Sequence, residues 1–223
     1  MKKRRLDEIL QERGVIKNKQ EAFVIVTEGR VFVNGQKAIS PAQFVGVDAK
    51  VEVKNADGYV GRGAYKLEAA LAEFGINAAG KICADIGAAT GGFTEVLLRR
   101  GAEKVYAIDT ARGKLALKIR QDSRVVVMEQ TDVRHLNALP DPIDIAVIDV
   151  SLISLRDILG SVRRLLAPSG AVAALFKPQY ETRDAKILHH GVIRDPLERE
   201  KLAADFQEWA AKNNWEIKGK IEL

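Results

Sequence analysis

The sequence predicts an α/β protein, with a parallel sheet covered by helices on both faces and a small α+β module ahead of it. Three observations carry this. From residue 64 onward, short apolar strand-like runs alternate with helical ones, the pattern of a doubly wound sheet. Runs such as "KVYAID" and "IDIAVID" are apolar at nearly every position, as strands buried on both faces must be. Before residue 55 the pattern differs, with two short helical stretches and an Asn34-Gly35 pair between alternating apolar residues.

The elements follow in order. Leu6, Ile9 and Leu10 sit at helical spacing over 5–13, and Gly14 ends that run. A second helix is expected over 19–28, with Ala22, Phe23 and Val26 inward and Gly29 at its end. "RVFVNGQKA" reads as a hairpin and "KVEVK" as a further strand. Residues 1–54 thus form one module, and the glycine-rich "NADGYVGRG" (55–63) reads as a linker. Residues 64–223 form the larger domain. Its helices are expected at 64–74, 92–100, 113–120, 154–167 and 196–212. Its strands are expected at "KICADIG", "KVYAID", "RVVVME", "IDIAVID", "AVAALFK" and "WEIKGKIEL".

Composition bounds the function. At 223 residues and 47% hydrophobic content, the chain can bury one sizeable core and a small second one. Its apolar runs are too short and too interrupted to span a bilayer, and "MKKRRLDEIL" lacks the apolar core of a signal peptide. The single cysteine, Cys83, lies inside an apolar run. This fits an inert packed thiol in a reducing, cytoplasmic compartment. The net charge of +5 is concentrated in two places. Residues 1–20 hold seven Lys/Arg against three acids, and residues 99–124 hold eight against three. Two separate basic clusters point to an extended anionic ligand such as nucleic acid. His135, His189 and His190 have no metal-ligand spacing, and no metal is expected.

Ligands of doubly wound sheets bind beyond the carboxyl ends of the strands, so the turn after the first strand is the place to look. It reads "CADIGAATGGFTE" (83–95). Gly87-Ala88-Ala89-Thr90-Gly91-Gly92 lacks the second glycine of the dinucleotide fingerprint. Asp85, two residues before Gly87, would repel a pyrophosphate and suits a cofactor with a cationic amino-acid end, such as S-adenosylmethionine. Asp109 ends the next strand, where a carboxylate can accept from both ribose hydroxyls. Asp132 follows the third and is placed for an adenine amino group. At the same mouth stand Lys66, Asp149 at the end of "IAVID", and Lys177 at the end of "AALFK". A lysine ending an apolar run is disfavoured as a cation. Tuned by Lys66 and held by Asp149, it could deprotonate a weak hydroxyl nucleophile.

These residues lie in long, ordered motifs: "RRLDEILQERG", "AFVIVTEGRVFVNG", "RGAYKLE", "DIGAATGGFTEVLLRRGA", "VYAIDT", "VVVMEQTDVRHL", "IDVSLISL", "FKPQYE" and "GVIRD". Across essentially its whole length the chain resembles the TlyA-type family, often labelled haemolysin A. That family joins an alpha-L RNA-binding domain to an FtsJ-like ribose 2′-O-methyltransferase domain with a Rossmann-like sheet. The resemblance implies catalysis by Lys66, Asp149 and Lys177. It implies S-adenosylmethionine held by Asp85, Gly87, Ala88, Thr90, Gly91, Gly92, Phe93, Asp109 and Asp132. It also implies ribosomal RNA or ribosomal subunits as partner, docked through Arg4, Arg5, Arg13, Lys17, Lys19 and Arg112. The family's fourth catalytic carboxylate lies on a last sheet strand that this chain is expected to lack, and Glu222 does not take its role. Two rival readings are a ribosome-binding protein that keeps the fold without catalysis, and a membrane-active haemolysin, which the absence of a spanning run disfavours. No motif sets the oligomeric state.

Overall fold

Helical spacing of Leu6, Ile9 and Leu10 gives the first helix one apolar face, and all three side chains are buried. A computed structural model describes residues 3–27, 29–53, 58–61 and 63–222. The linker reading at 55–57 and 62 therefore lies outside the described residues. The first module runs β1 (Lys3–Arg5), α1 (Leu6–Glu12), α2 (Lys19–Thr27), β2 (Val31–Val33), β3 (Gln36–Lys37), β4 (Phe44–Gly46) and β5 (Val51–Val53). β2 pairs antiparallel with β3 and β5, and β1 pairs antiparallel with β4. Asn34 and Gly35 take φ of 51° and 81°, the left-handed pair of a type I′ hairpin turn. Leu6, Leu10, Ile16, Ala22, Ile25 and Val31 close a core separate from the larger domain's.

Two expectations in this module are corrected. β1 and β4 were not legible, because each is three residues long and their pairing spans about forty residues of chain. Phe23 is 43% exposed rather than inward. One helical step of 100° past Ala22 carries it out of the buried face, which is completed by Val24, Ile25 and Val26.

The larger domain continues as α3 (Ala64–Glu73), β6 (Ile82–Ile86), α4 (Gly92–Arg99), β7 (Lys104–Ile108), α5 (Leu117–Arg120), β8 (Val125–Met128), β9 (Ile143–Ile148), α6 (Leu155–Leu165), β10 (Leu166–Ala174), α7 (Pro178–Glu181) and α8 (Pro196–Lys212). Five strands form one parallel sheet in the order β10-β9-β6-β7-β8. Alternate residues serve opposite faces. Cys83, Val105, Ala107, Ile145 and Val147 pack with Leu67, Leu71, Val96, Leu97 and Ile119 of α3, α4 and α5. Ala84, Ile86, Tyr106, Ile108, Ala146 and Ile148 pack with Ile158, Leu159 and Val162 of α6 and the half-buried Phe206 and Trp209 of α8. The Cys83 thiol is fully buried, and burial pushes its pKa up to about 12, as its inert reading requires.

Three boundaries differ from expectation. The helix over 113–120 shrinks to Leu117–Arg120, because Gly113 takes φ of 73° and gives its N–H to Glu129 Oε1. β10 ends at Ala174, so Lys177 stands three residues past the strand as the N-cap of α7. "WEIKGKIEL" forms no strand over 215–222; Trp215 is instead covered by the Arg163 guanidinium, 4.1 Å from its ring. The two modules touch where α2 lies against α5, with the Gln20 side chain resting on Gly113.

Strand order reverses between β6 and β9, which opens a crevice at their carboxyl ends. There Gly87 (φ 86°) passes so close to the next loop that an added Cβ would lie 2.4 Å from the Asp149 carbonyl oxygen. Gly87→Ala is expected to lower stability by about 2 kcal/mol or more. Gly80→Ala, also left-handed but facing open space, serves as its control at about 1 kcal/mol by denaturant titration. Leu97→Ala, which empties a fully buried site on α4, is expected to cost about 3 kcal/mol and lower Tm by roughly 6–12 °C in a thermal melt.

Candidate active site

The glycine turn is shaped by backbone bonds. Gly87 and Ala88 both give their N–H to the Ile108 carbonyl, and Gly91 gives its own to Ala88. Gly91 (φ 89°) is the N-cap of α4, and a side chain there would collide with Leu115 and Ile119. The segment before α3 crosses this turn. A Cβ on Gly92 would meet the Gly61 carbonyl at 3.3 Å, and one on Gly61 would meet Thr90 Oγ1 at 2.8 Å. Glu95 fastens that segment by accepting the Val60 N–H at 2.8 Å, while Lys118 and Arg99 balance its charge.

Asp85 is the penultimate residue of β6 and is fully buried. One carboxylate oxygen accepts both the N–H and the hydroxyl of Thr94, at 2.8 and 2.7 Å. The other, Oδ1, is buried with no partner. Burial pushes this carboxyl up to about 7, opposed by the Thr94 bonds and reinforced by the charges of Asp149 and Asp109. An orphaned buried oxygen of an acid that resists ionising is the place for a cation, and the glycine turn beside it is a cradle that side chains would fill. These features fit the amino-acid end of S-adenosylmethionine.

Asp109 is half-buried and accepts from Ala111 N and Ala89 N, both at 2.7 Å, which ties the end of β7 to the glycine turn. Asp132 caps the short turn Val133–His135. Its oxygens take Arg134 Nε and Nη2, and that guanidinium holds the carboxyl down at about 2. In this geometry Asp132 is a cap and an ion-pair partner, not a free acceptor for adenine. Phe93 is buried against Gly63, whose added Cβ would lie 3.4 Å from the ring and 3.6 Å from Asp149 Oδ2.

Lys177 and Asp149 come together as expected, with Nζ 2.6 Å from Asp149 Oδ1. The same Nζ donates to the Val150 carbonyl at 2.9 Å and to Ser151 Oγ at 3.0 Å. Lys66 stands exposed on the first turn of α3. Asp149 does not bridge it to Lys177: among the described residues only Lys177 pairs with Asp149. Sequence reasoning missed Ser151, Thr94 and the buried Glu181. Their partners lie far along the chain or depend on how a turn closes. The one available signal was their place inside the motifs "IDVSLISL", "GGFTE" and "FKPQYE".

The expected nucleic-acid cations divide. Arg4 pairs with Glu12 at 2.8 Å, and Arg5 grips the buried Asp7 with two hydrogen bonds that hold its carboxyl below the usual range. Arg13 donates to the Val51 carbonyl. Lys17, Lys19 and Arg112 are exposed: Lys17 lies two residues before α2, Lys19 begins it, and Arg112 stands beside Gly113, on which Gln20 of α2 rests. No helix among the described residues is long and apolar enough to cross a membrane, and no cluster of metal-ligating side chains occurs among them.

Residues 59–221 match the FtsJ-like methyltransferase family, and residues 4–51 match the S4 domain. The chain is 40% identical to "Hemolysin A" of Brachyspira hyodysenteriae, covering 89% of this chain and 84% of that one. It is 37% identical to the "16S/23S rRNA (cytidine-2'-O)-methyltransferase TlyA" of Mycobacterium tuberculosis, covering 96% and 82%. A solved structure from Streptococcus thermophilus carrying the hemolysin label superposes with a TM-score of 0.71 at 35% identity, covering 98% of this chain and 82% of that one. With the glycine turn, the buried Asp85 and the Asp149–Lys177 pair gathered at one crevice, the chain belongs to the FtsJ-like methyltransferase family.

Proposed function

We propose that the chain is an S-adenosylmethionine-dependent methyltransferase acting on ribose 2′-hydroxyls of ribosomal RNA, with its S4 domain as the RNA-docking module. The observation that carries this reading is the Asp149–Lys177 pair at the mouth of the cofactor crevice. The printed activities of TlyA relatives from Mycobacterium tuberculosis and Campylobacter jejuni support the substrate. The partner is ribosomal RNA presented in a ribosomal subunit, and the reaction belongs to the cytoplasm.

When bound, S-adenosylmethionine supplies an electrophilic methyl group on a sulfonium centre. Asp85 Oδ1 would hold its amino group, the turn from Gly87 to Gly92 with Ala88, Thr90 and Phe93 would hold its methionine portion, and Asp109 would accept from its ribose. Lys177 Nζ would take the proton of the RNA 2′-hydroxyl, which leaves that oxygen as the nucleophile for the methyl group the cofactor would supply. Hydrogen bonds to the Val150 carbonyl and Ser151 Oγ and an ion pair with Asp149 hold the Lys177 amine in the resting protein. A base accepts through its nitrogen lone pair, so it acts as the neutral amine. Asp149 and the Val150 carbonyl keep it aimed, and Lys66 adds a cation at the substrate side. Transfer from a sulfonium would discharge a cation rather than build charge, so the alignment these residues provide contributes more than electrostatic stabilisation. Lys17, Lys19 and Arg112 contact phosphates, since structured RNA is recognised through shape and backbone.

Lys177→Met is expected to lower methyl incorporation into ribosomal subunits by about a thousandfold or more, while S-adenosylmethionine still binds. Tritiated methyl transfer beside calorimetry measures both. RNA binding by the wild-type protein without incorporation would favour the non-catalytic reading instead. Asp85 adds a proton-linked signature. The free carboxyl titrates near 7, and a bound ammonium favours its ionised form. Binding at pH 6 is then expected to release about one proton, and affinity to rise with pH until about 7 and level off above. Calorimetry in two buffers of different ionisation enthalpy counts that proton, and Asp85→Asn should abolish it.

A further inference from the structure

We propose that Glu181 is the positioning residue of Lys177, an inference that rests on Lys177 being the base. Lys177 stands outside the sheet, as the N-cap of a four-residue helix. A single helical turn does not hold itself in place, so something else must fix the amine against Asp149. The Glu181 carboxylate, at the far end of that turn, does so. Its side chain is 1% exposed. Oε1 accepts the Leu155 N–H at 2.7 Å and Oε2 accepts the Ser154 hydroxyl at 2.5 Å. Arg156 Nε lies 3.6 Å away and balances the charge.

Those partners begin α6, and the loop leading into α6 carries Asp149, Val150 and Ser151, the ion-pair partner and the two hydrogen-bond acceptors of Lys177. The loops after β9 and β10 are therefore fastened twice. One fastening is the lysine itself, and the other is Glu181 four residues on. A carboxylate at the amino end of α6 also meets the positive end of the helix dipole, so it holds firmly without a full counter-charge. On the flank before Lys177, Phe176 packs on Phe206 at 5.1 Å. Apart from the lysine itself, Glu181 is the fastening that joins the two loops through directed bonds.

A carboxylate that merely capped α6 would change stability alone. A positioning residue changes turnover and the chemistry of the lysine. Glu181→Gln keeps the volume but offers one acceptor where two donors point. In wild-type and variant full-length protein, kcat on ribosomal subunits is expected to fall by about tenfold, with KM for both substrates within about twofold. Lys177 acetylation by a limiting reagent, read by mass spectrometry, is expected to quicken by about threefold while Lys66 acetylation stays constant. Glu181→Asp, which keeps the charge, is expected to recover part of both. Unchanged Lys177 labelling, or faster labelling of every lysine in step with lost folded protein, would overturn the proposal. Labelling needs no turnover. A wild-type protein inactive on rRNA therefore strikes the proposed function, and labelling alone then decides the role of Glu181.

Discussion

Everything at the crevice depends on the parallel register that carries β9 between β6 and β10. Asp149 N donates to the Ile86 carbonyl and Leu175 N to the Ile148 carbonyl, so the pairing on both sides of β9 reaches the carboxyl ends of the strands. Three chain segments then leave the sheet at one level. The first turns at once as Gly87, the second presents Asp149, and the third reaches Lys177 after three residues. Parallel strands need long crossovers, so the meeting groups are scores of residues apart in sequence and meet only because the ladder is in register. A shift of one residue would turn Asp85 from the α4 face to the α6 face and separate it from Thr94.

The electrostatics follow from that crowding. Asp85, Asp109 and Asp149 face one small space, and two of them raise the pKa of the third. Only Asp149 has a lysine in contact. Asp109 spends its oxygens on backbone N–H groups, and Asp85 keeps its proton near neutral pH. The crevice thus stores unmet negative potential against a low-dielectric wall. It favours cations on entry and disfavours pyrophosphates, as the missing second glycine had already suggested.

The sheet was legible because buried parallel strands cannot hide: their apolar runs are continuous. The glycine turn, Asp85, Asp109 and Asp149 were legible for the same reason, since each is a polar or flexible residue at the end of such a run. Lys177 was found by this rule even though its strand stops three residues earlier. What escaped was pairing. Arg4 and Arg5 look like free cations until Glu12 and Asp7 swing round to meet them, one across a helix and one across a cap. Asp132 looks like a ligand carboxylate until Arg134, two residues on, curls back onto it. Ser151 and Glu181 are ordinary polar residues until a contact 26 residues away gives them a task. Composition records charges but not which of them cancel.

Cys83 has a further consequence. It is the only thiol in the chain, it sits on the central strand, and it is closed to solvent from both sides of the sheet. No alkylating reagent or oxidant can reach it while β6 keeps its neighbours. The molecule therefore carries its own clock: the rate at which that sulfur becomes reactive is the rate at which the centre of the sheet comes apart.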